Sequence, residues 1–354
     1  MPVFIAEDLC RLGANLFQAV GSPSEDAWLV SDHMVESGLL GHDTHSVLRF
    51  PQYVESVRSG KVVPGAAFDV IRETERIAKV SGNWNFGPVT AHRAADLAAK
   101  KARDGAVAAV TVIQCNHVAR LGHYGALIAA DGDLVGMLFC NGHGSDHSTV
   151  PFGGAERRLP TNPLSIAIPT GREWPVVLDM TTSMTSGGAM RVYRNRAQPV
   201  PDGFIVDASG KPTTNVEAYY GPPHGAMLPL GFPSTGHKGF GLAVVVDILS
   251  GALSGAGCTQ ANPPEAGNAL FIVAINIKSL VSVTDFHREV GEFVDRVKSS
   301  PVAEGFEAVM LPGEKSHLMR QQRLKKGLPV DDAAWEQIVD IATELDVELP
   351  HPKK

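Results

Sequence analysis

The sequence predicts an α/β protein. A central mixed sheet domain, residues 69–283, is inserted into a helical domain built from both termini, residues 1–68 together with 284–354. Three observations carry this prediction. Apolar residues recur at helical spacing near both ends of the chain. The middle instead holds valine-rich runs such as Ala106–Ile113, continuous as in strands covered on both faces. The 354 residues, 44% hydrophobic and only 19% charged, suffice for a large core and two domains.

The elements follow in order. Ala6–Val20 places Leu9, Leu12, Leu16 and Phe17 at helical spacing. Ser22-Pro-Ser-Glu-Asp reads as a helix start, with a cap, a first-turn proline and acids at the positive dipole end. That helix runs to about Leu40 and stops at Gly41. His45–Tyr53 opens the next helix, which ends near Gly60. From Phe68 the period changes, and Val70 to Val80 alternates as two strands around a polar turn. Pro88–Arg103 is an alanine-rich helix and Ala106–Ile113 a buried strand. A helix over 121–131 and strands over Leu134–Cys140, Leu164–Pro169 and Val176–Met180 follow. Lys238–Ser254 is an apolar helix and Ala269–Ile277 a strand. Thr284–Ser299, Lys315–Lys326 and Asp331–Leu345 are amphipathic helices, and no repeat of 20–50 residues stands out.

Composition narrows the function classes. Net charge is −7 and the only basic run is Arg323-Leu-Lys-Lys326, which argues against nucleic acid as a partner. Cys10, Cys115, Cys140 and Cys258 show no CxxC spacing and suit a reducing compartment. The N-terminus lacks the basic and apolar regions of a signal peptide, and the apolar run after Gly241 is broken by Asp247. A cytoplasmic protein with no membrane partner is expected.

The segment Gly41-His-Asp-Thr-His-Ser-Val-Leu-Arg-Phe-Pro-Gln-Tyr53 is the densest in chemistry. His45, Arg49 and Tyr53 recur every four residues, so a helix from Ser46 would put them on one face. An arginine can clamp a small carboxylate, and a neighbouring histidine can exchange a proton with the adjacent oxygen. The plain alternative is a solvated helix face. His117, in Cys115-Asn116-His117, stands where a buried strand ends, the usual place for ligands in α/β sheets. Pro151-Phe-Gly-Gly and Thr161-Asn-Pro163 are turn-rich. Asp179-Met-Thr-Thr-Ser sits at another strand end, where hydroxyls and backbone N–H groups could hold a phosphate or ribose. Lys238, between Gly236-His and Gly239, opposes the dipole at a helix start, a placement that an anion would offset. No Gly-x-Gly-x-x-Gly follows a strand and no Walker A loop is present, which disfavours a standard Rossmann domain. His143 and His147, with Asp146 between them, have the spacing of metal ligands but lie in a glycine-rich stretch, so no metal is expected.

Taken in order, these segments resemble the malate/L-lactate dehydrogenase family of NAD(P)-dependent oxidoreductases, which is distinct from the Rossmann-type lactate and malate dehydrogenases. The resemblance covers nearly the whole chain. It rests on Asp43-Thr-His45-x-x-x-Arg49 with Tyr53, Asn116-His117, Pro151-Phe-Gly-Gly, Thr161-Asn-Pro163 and Asp179-Met-Thr-Thr-Ser. It continues through Pro212-Thr-Thr-Asn215, His237-Lys238-Gly, Leu249-Ser-Gly-Ala-Leu-Ser-Gly255 and Leu311-Pro-Gly-Glu314. The His-Lys-Gly and Pro-Gly-Glu forms are most similar to the bacterial hydroxycarboxylate dehydrogenase branch.

The resemblance implies a homodimer with a non-Rossmann cofactor fold, using NAD or NADP, with NAD favoured. It implies His45 as proton donor and acceptor, with His117 beside the nicotinamide or in the acid/base role itself. Arg49, Tyr53 and Thr161 would contact substrate. Asn141, Asp179, Met180, Thr181, Lys238, Gly239, Pro312, Gly313 and Glu314 would join His117 in touching the cofactor. Thr44-His45-Ser46 stands where the family usually has Ser-His-Gly, which adds a hydroxymethyl group beside His45. The expected reaction is hydride transfer between NAD(P) and a small 2-hydroxy/2-oxo acid. The alternatives are a cyclic imino acid reductase and, from a different class, a metal-dependent hydrolase using His143 and His147.

Overall fold

A computed structural model describes residues 1–144, 147–261 and 265–353. The chain opens with α1 (Ala6–Ala19) and α2 (Ser24–Leu39), which pack along Leu9, Leu12, Leu16 and Phe17 on one side and Val30 and Met34 on the other. Two short 3-10 turns, Asp43–His45 and Val47–Arg49, lead into α3 (Phe50–Arg58), which adds Phe50, Tyr53 and Val54 to the same core. The expected helix across His45–Tyr53 is therefore corrected. Ser46 is extended (φ −93°, ψ −159°) and separates the two turns. Pro51 lacks the N–H that a helix interior requires, so the helix can begin only around it.

The sheet is built from β1 (Asp69–Glu73), β2 (Ile77–Ser81), β3 (Val107–Cys115), β4 (Leu134–His143), β5 (Leu164–Ile168), β6 (Val176–Met180) and β7 (Gly267–Asn276). Its order is β1-β2-β3-β7-β4-β5-β6. Only β2 and β3 run parallel, so the sheet is mixed, as expected. Between β2 and β3 the chain forms α4 (Gly87–Gly105), and between β3 and β4 it forms α5 (Leu121–Ala129). The small side chains of Ala91, Ala94, Ala95, Ala98 and Ala102 let α4 lie close on Val110, Val112 and Ile272. Strands β3 and β4 run two or three residues further than their apolar runs suggest. They thereby carry Cys115 and Asn141–His143 to one end of the sheet.

Three elements have no counterpart in the sequence reading. These are α6 (Gly187–Asn195), α7 (Val216–Tyr220) and a small three-stranded sheet over Ile205–Val206, Pro212–Thr213 and Ala226–Met227. All are short, and α6 begins with two glycines, the poorest start for a periodicity signal. The apolar helix α8 (Gly236–Asp247) continues as a π turn, Ile248–Ala252. The C-terminal helices are α9 (Val283–Lys298), α10 (Glu314–Lys326) and α11 (Asp332–Glu344). Helix α9 rests on the sheet turns, with His287 Nε2 2.8 Å from Gly132 O and Arg172 2.6 Å from Asp295. Helix α10 returns to α2 through Arg320 and Glu36 at 2.7 Å, and Val3–Phe4 pairs with Leu328–Pro329. Among the described residues, no helix is long and apolar enough to cross a membrane.

Candidate active site

The extended ends of β3 and β4, the 3-10 turns before α3 and the start of α6 enclose a cavity of about 770 Å³. It contains His45, Arg49, His117, Asn141, Thr161, Asp179, Met180 and Thr181, which lie up to 136 residues apart in sequence (45 to 181).

His45 sits in the turn that follows α2. Its Nδ1 is 3.3 Å from Thr44 Oγ1, and its ring stacks on that of His117 with centroids 5.8 Å apart and planes 11° apart. Burial, reinforced by the charges of Arg49, His42 and Arg120, pushes its pKa down to about 3. His117 is held well below the usual imidazole range, again by burial first and then by Arg49, His45, Lys61 and Arg191. Both rings are therefore neutral at pH 7. Arg49 is only 8% exposed; its Nε donates to Thr44 O at 2.7 Å and its Nη1 to Gln52. These bonds orient the guanidinium.

Tyr53 stands elsewhere than expected. It is buried in the helical core and does not reach the cavity; its Oη lies 2.8 Å from His117 O and 2.9 Å from His117 Nδ1. Because Tyr53 begins the second turn of α3 rather than continuing one helix from Ser46, it faces the back of His117. Ser46 also points away from the cavity. Its hydroxyl fills the place a Cβ on Gly38 of α2 would need, so the added group is absorbed by a glycine.

The cofactor candidates divide into two groups. Asn141, Asp179, Met180, Thr181 and His117 line the cavity. Lys238 is exposed on the first turn of α8, and Gly239 is buried where a Cβ would meet the backbone of Leu230. Pro312, Gly313 and Glu314 lie beside the opposite end of β6, where Val177 N donates to Pro312 O at 3.1 Å. Glu314 pairs with Lys298 and accepts from Leu311 N at 3.0 Å. None of these five lines the cavity.

The sequence reading missed Arg120, Lys61, Arg191 and Asn162 as single residues. Arg120 is buried with its Nε 3.3 Å from Asp179 Oδ2. Burial raises the Asp179 carboxyl, with Arg120 pulling it back down. Gly122 leaves the room this pair needs, since a Cβ there would fall against the Asp179 carboxylate. Arg120 follows His117 by three residues, a spacing that could have flagged it. Asn141 and Asn162 both donate to the buried Asp247, at 3.2 and 2.8 Å. Several buried polar atoms here have no hydrogen-bond partner among the described residues: Asn141 Oδ1, Asn162 Oδ1, His143 Nε2 and Ser148 Oγ, all from cavity residues. Such orphans are rare in a folded interior, and water or a ligand's own donors and acceptors can satisfy them. Asp146 lies outside the described residues, among which no group of three His, Cys, Asp or Glu side chains could hold a metal ion.

Known proteins resemble this chain over nearly its whole length. A malate dehydrogenase from Pyrococcus horikoshii is 36% identical over 336 residues, covering 93% of this chain and 91% of its own. Hydroxycarboxylate dehydrogenase B from Escherichia coli is 32% identical over 347 residues, covering 97% and 94%. The solved structure of malate dehydrogenase from Pyrococcus horikoshii OT3 superposes with a TM-score of 0.88 at 32% identity, over 98% of this chain and 97% of that one. The malate/L-lactate dehydrogenase family model matches residues 4–339, and the chain belongs to that family.

Proposed function

We propose that the protein is an NAD(P)-dependent 2-hydroxycarboxylate dehydrogenase that interconverts a small 2-hydroxy acid and its 2-oxo acid. The observation that carries this reading is the neutral, stacked pair His45 and His117 in one cavity with the oriented guanidinium of Arg49.

The cavity suits a nicotinamide. A carboxamide has two N–H donors and one acceptor, and Asn141 Oδ1, Asn162 Oδ1 and Ser148 Oγ are buried and unpartnered among the described residues. When bound, the cofactor supplies or accepts the hydride. Arg49 binds the substrate carboxylate and fixes the C2 oxygen toward His45. In oxidation His45 takes the hydroxyl proton on Nε2, the nitrogen that Thr44 does not face; in reduction it returns that proton to the oxygen. An anionic substrate raises the His45 pKa from its depressed value, so the ring accepts the proton only once the substrate is in place. Tyr53 fixes the ring of His117, and Thr161 stays a substrate contact. Lys238, with no ion pair among the described residues, and the Pro312–Glu314 turn contact the cofactor beyond the cavity. NAD is favoured over NADP.

The active unit is a homodimer. Leu242, Val245, Ile248 and Leu253 of α8 and its π turn form an exposed apolar face, 42–58% accessible, of the kind that a second copy covers. The test of function is NADH and NADPH oxidation against pyruvate, oxaloacetate and a cyclic imino acid, with and without EDTA. Turnover of the 2-oxo acids in EDTA is expected. Turnover confined to the imine, or lost on chelation and restored by zinc, overturns the reading.

A further inference from the structure

Counting charges in the cavity leaves a surplus that one carboxylate does not explain. Among the described lining residues the cations are Arg49, Lys61, Arg120 and Arg191 and Asp179 is the only acid, while Asp247 lies behind Asn141 and Asn162 and Glu265 acts on His143. Asp179 is taken by Arg120 at 3.3 Å. Arg49 serves a single carboxylate next to His45. Lys61 and Arg191 are left over, and neither joins an ion pair among the described residues. In a chain of net charge −7 this local excess of positive charge is not a general property of the surface.

The two residues belong to the histidine end of the cavity. Lys61 follows α3, and its carbonyl accepts from Asn116 Nδ2 at 3.1 Å, which ties it to the residue before His117. Arg191 lies one turn along α6 from Gly188, on the same face. A Cβ on Gly188 would stand 2.7 Å from Thr44 Cβ, so that face of α6 is pressed against the neighbour of His45. The positive charges of both residues are felt at the His117 ring. Like charges gathered in a concave site repel one another, and an anion placed between them relieves the repulsion.

We propose that Lys61 and Arg191 form a second anion position that selects 2-oxo and 2-hydroxy acids bearing a further acid group, a carboxylate or sulfonate, over monocarboxylates. This rests on the dehydrogenase reading above and adds the substrate class to it.

The test is steady-state kinetics of the full-length protein with NADH, comparing oxaloacetate, which carries the second carboxylate, with pyruvate, which does not. Arg191→Leu and Lys61→Met alter exposed side chains and leave the fold intact. Each should lower the oxaloacetate-to-pyruvate ratio of kcat/KM by about tenfold or more, mainly through KM, as loss of a charged contact does. Arg191→Lys should recover most of the ratio, and salt should raise the oxaloacetate KM more than the pyruvate KM. NADH affinity, read by fluorescence titration, should stay within about twofold. An unchanged ratio overturns the proposal. Parallel losses on both acids with weakened NADH binding also overturn it, and would assign the two cations to the cofactor phosphates. If the unaltered protein turns over neither acid with NADH or NADPH, the dehydrogenase reading itself fails and this proposal with it.

Discussion

One hydroxyl proton cannot serve both partners of Tyr53. If Oη donates to His117 O, then His117 Nδ1–H donates to Oη, and Nε2 is the ring atom left with a lone pair. The ring of His117 is thus fixed, whereas the hydrogen-bond contact of His45 among the described residues is a long one to Thr44, which leaves its Nε2 to exchange a proton. His45→Ala should lower kcat by about 10²–10⁴-fold and leave NADH affinity unchanged. If His45→Ala stays active while His117→Ala is inactive, the two roles are reversed. The pH profile gives an independent check. Burial pushes the His45 pKa down to about 3, so in the free enzyme the ring is already the base across neutral pH. Oxidation of the hydroxy acid should therefore show no loss of kcat/KM as pH falls from about 7.5 to 5.5, where an unperturbed imidazole of pKa about 6.5 would impose one. Arg49→Lys should come within about threefold of Arg49→Ala in kcat/KM, because lysine keeps the charge but cannot hold Thr44 O while facing a carboxylate. Near wild-type kinetics for Arg49→Lys would remove Arg49 as the carboxylate anchor.

At the scale of elements, the long periodic segments were legible: α1, α2, α4, α8, α9, α10 and α11 and all seven strands of the sheet follow from apolar spacing and from the caps and glycines between them. The active-site walls were less so. The 43–58 segment has the right residues in the wrong geometry when read as one helix, although Pro51 already marked the true start. Helix α6 and the small sheet over 205–227 are held by packing against Met190, Ile205 and Met227, and short elements of that kind leave little period to detect. Arg120 and Asp179, 59 residues apart (120 to 179), meet only because α5 docks beside the end of β6. Gly122→Ala should separate them, costing about 2–4 kcal/mol and most of the activity, since a methyl group would take the carboxylate's place. Thermal melting and kinetics of that variant would show it, and an unchanged Tm would place Asp179 elsewhere. On α8, Val245→Glu should convert the proposed dimer to monomer in light scattering at matched concentration. A monomeric unaltered protein would contradict the assembly.

For the molecule as a whole, His33, His42, His45, His117 and His123 all have pKa values lowered by burial, His42 to about 4 and His45 and His123 to about 3. Below about pH 6.5 the unfolded chain binds protons that the folded one refuses, so stability is lost as pH falls from there toward about 4. Each such histidine contributes about 1.4 kcal/mol per pH unit in that window. Asp32 and Asp179, raised by burial, act with the opposite sign and offset part of the loss at its lower end. Calorimetry should show Tm falling steeply between about pH 6.5 and 5. A flat Tm there would mean that these imidazoles are hydrated.

The position of β7 has a consequence for how the protein is made. It is the last strand of the main sheet to be synthesised, yet it lies between β3 and β4, antiparallel to both. Until it is in place, β1–β3 and β4–β6 share no ladder, and the cavity lies across that seam, with His117 on one side and Asn141 and Thr161 on the other. Asn268 closes it, its Oδ1 accepting from Val118 N and its Nδ2 donating to Asn141 O, each at 3.1 Å. A nascent chain short of residue 276 therefore presents two open strand edges to its surroundings and has no assembled cavity. Recovery of activity on refolding would then keep time with the insertion of this one strand.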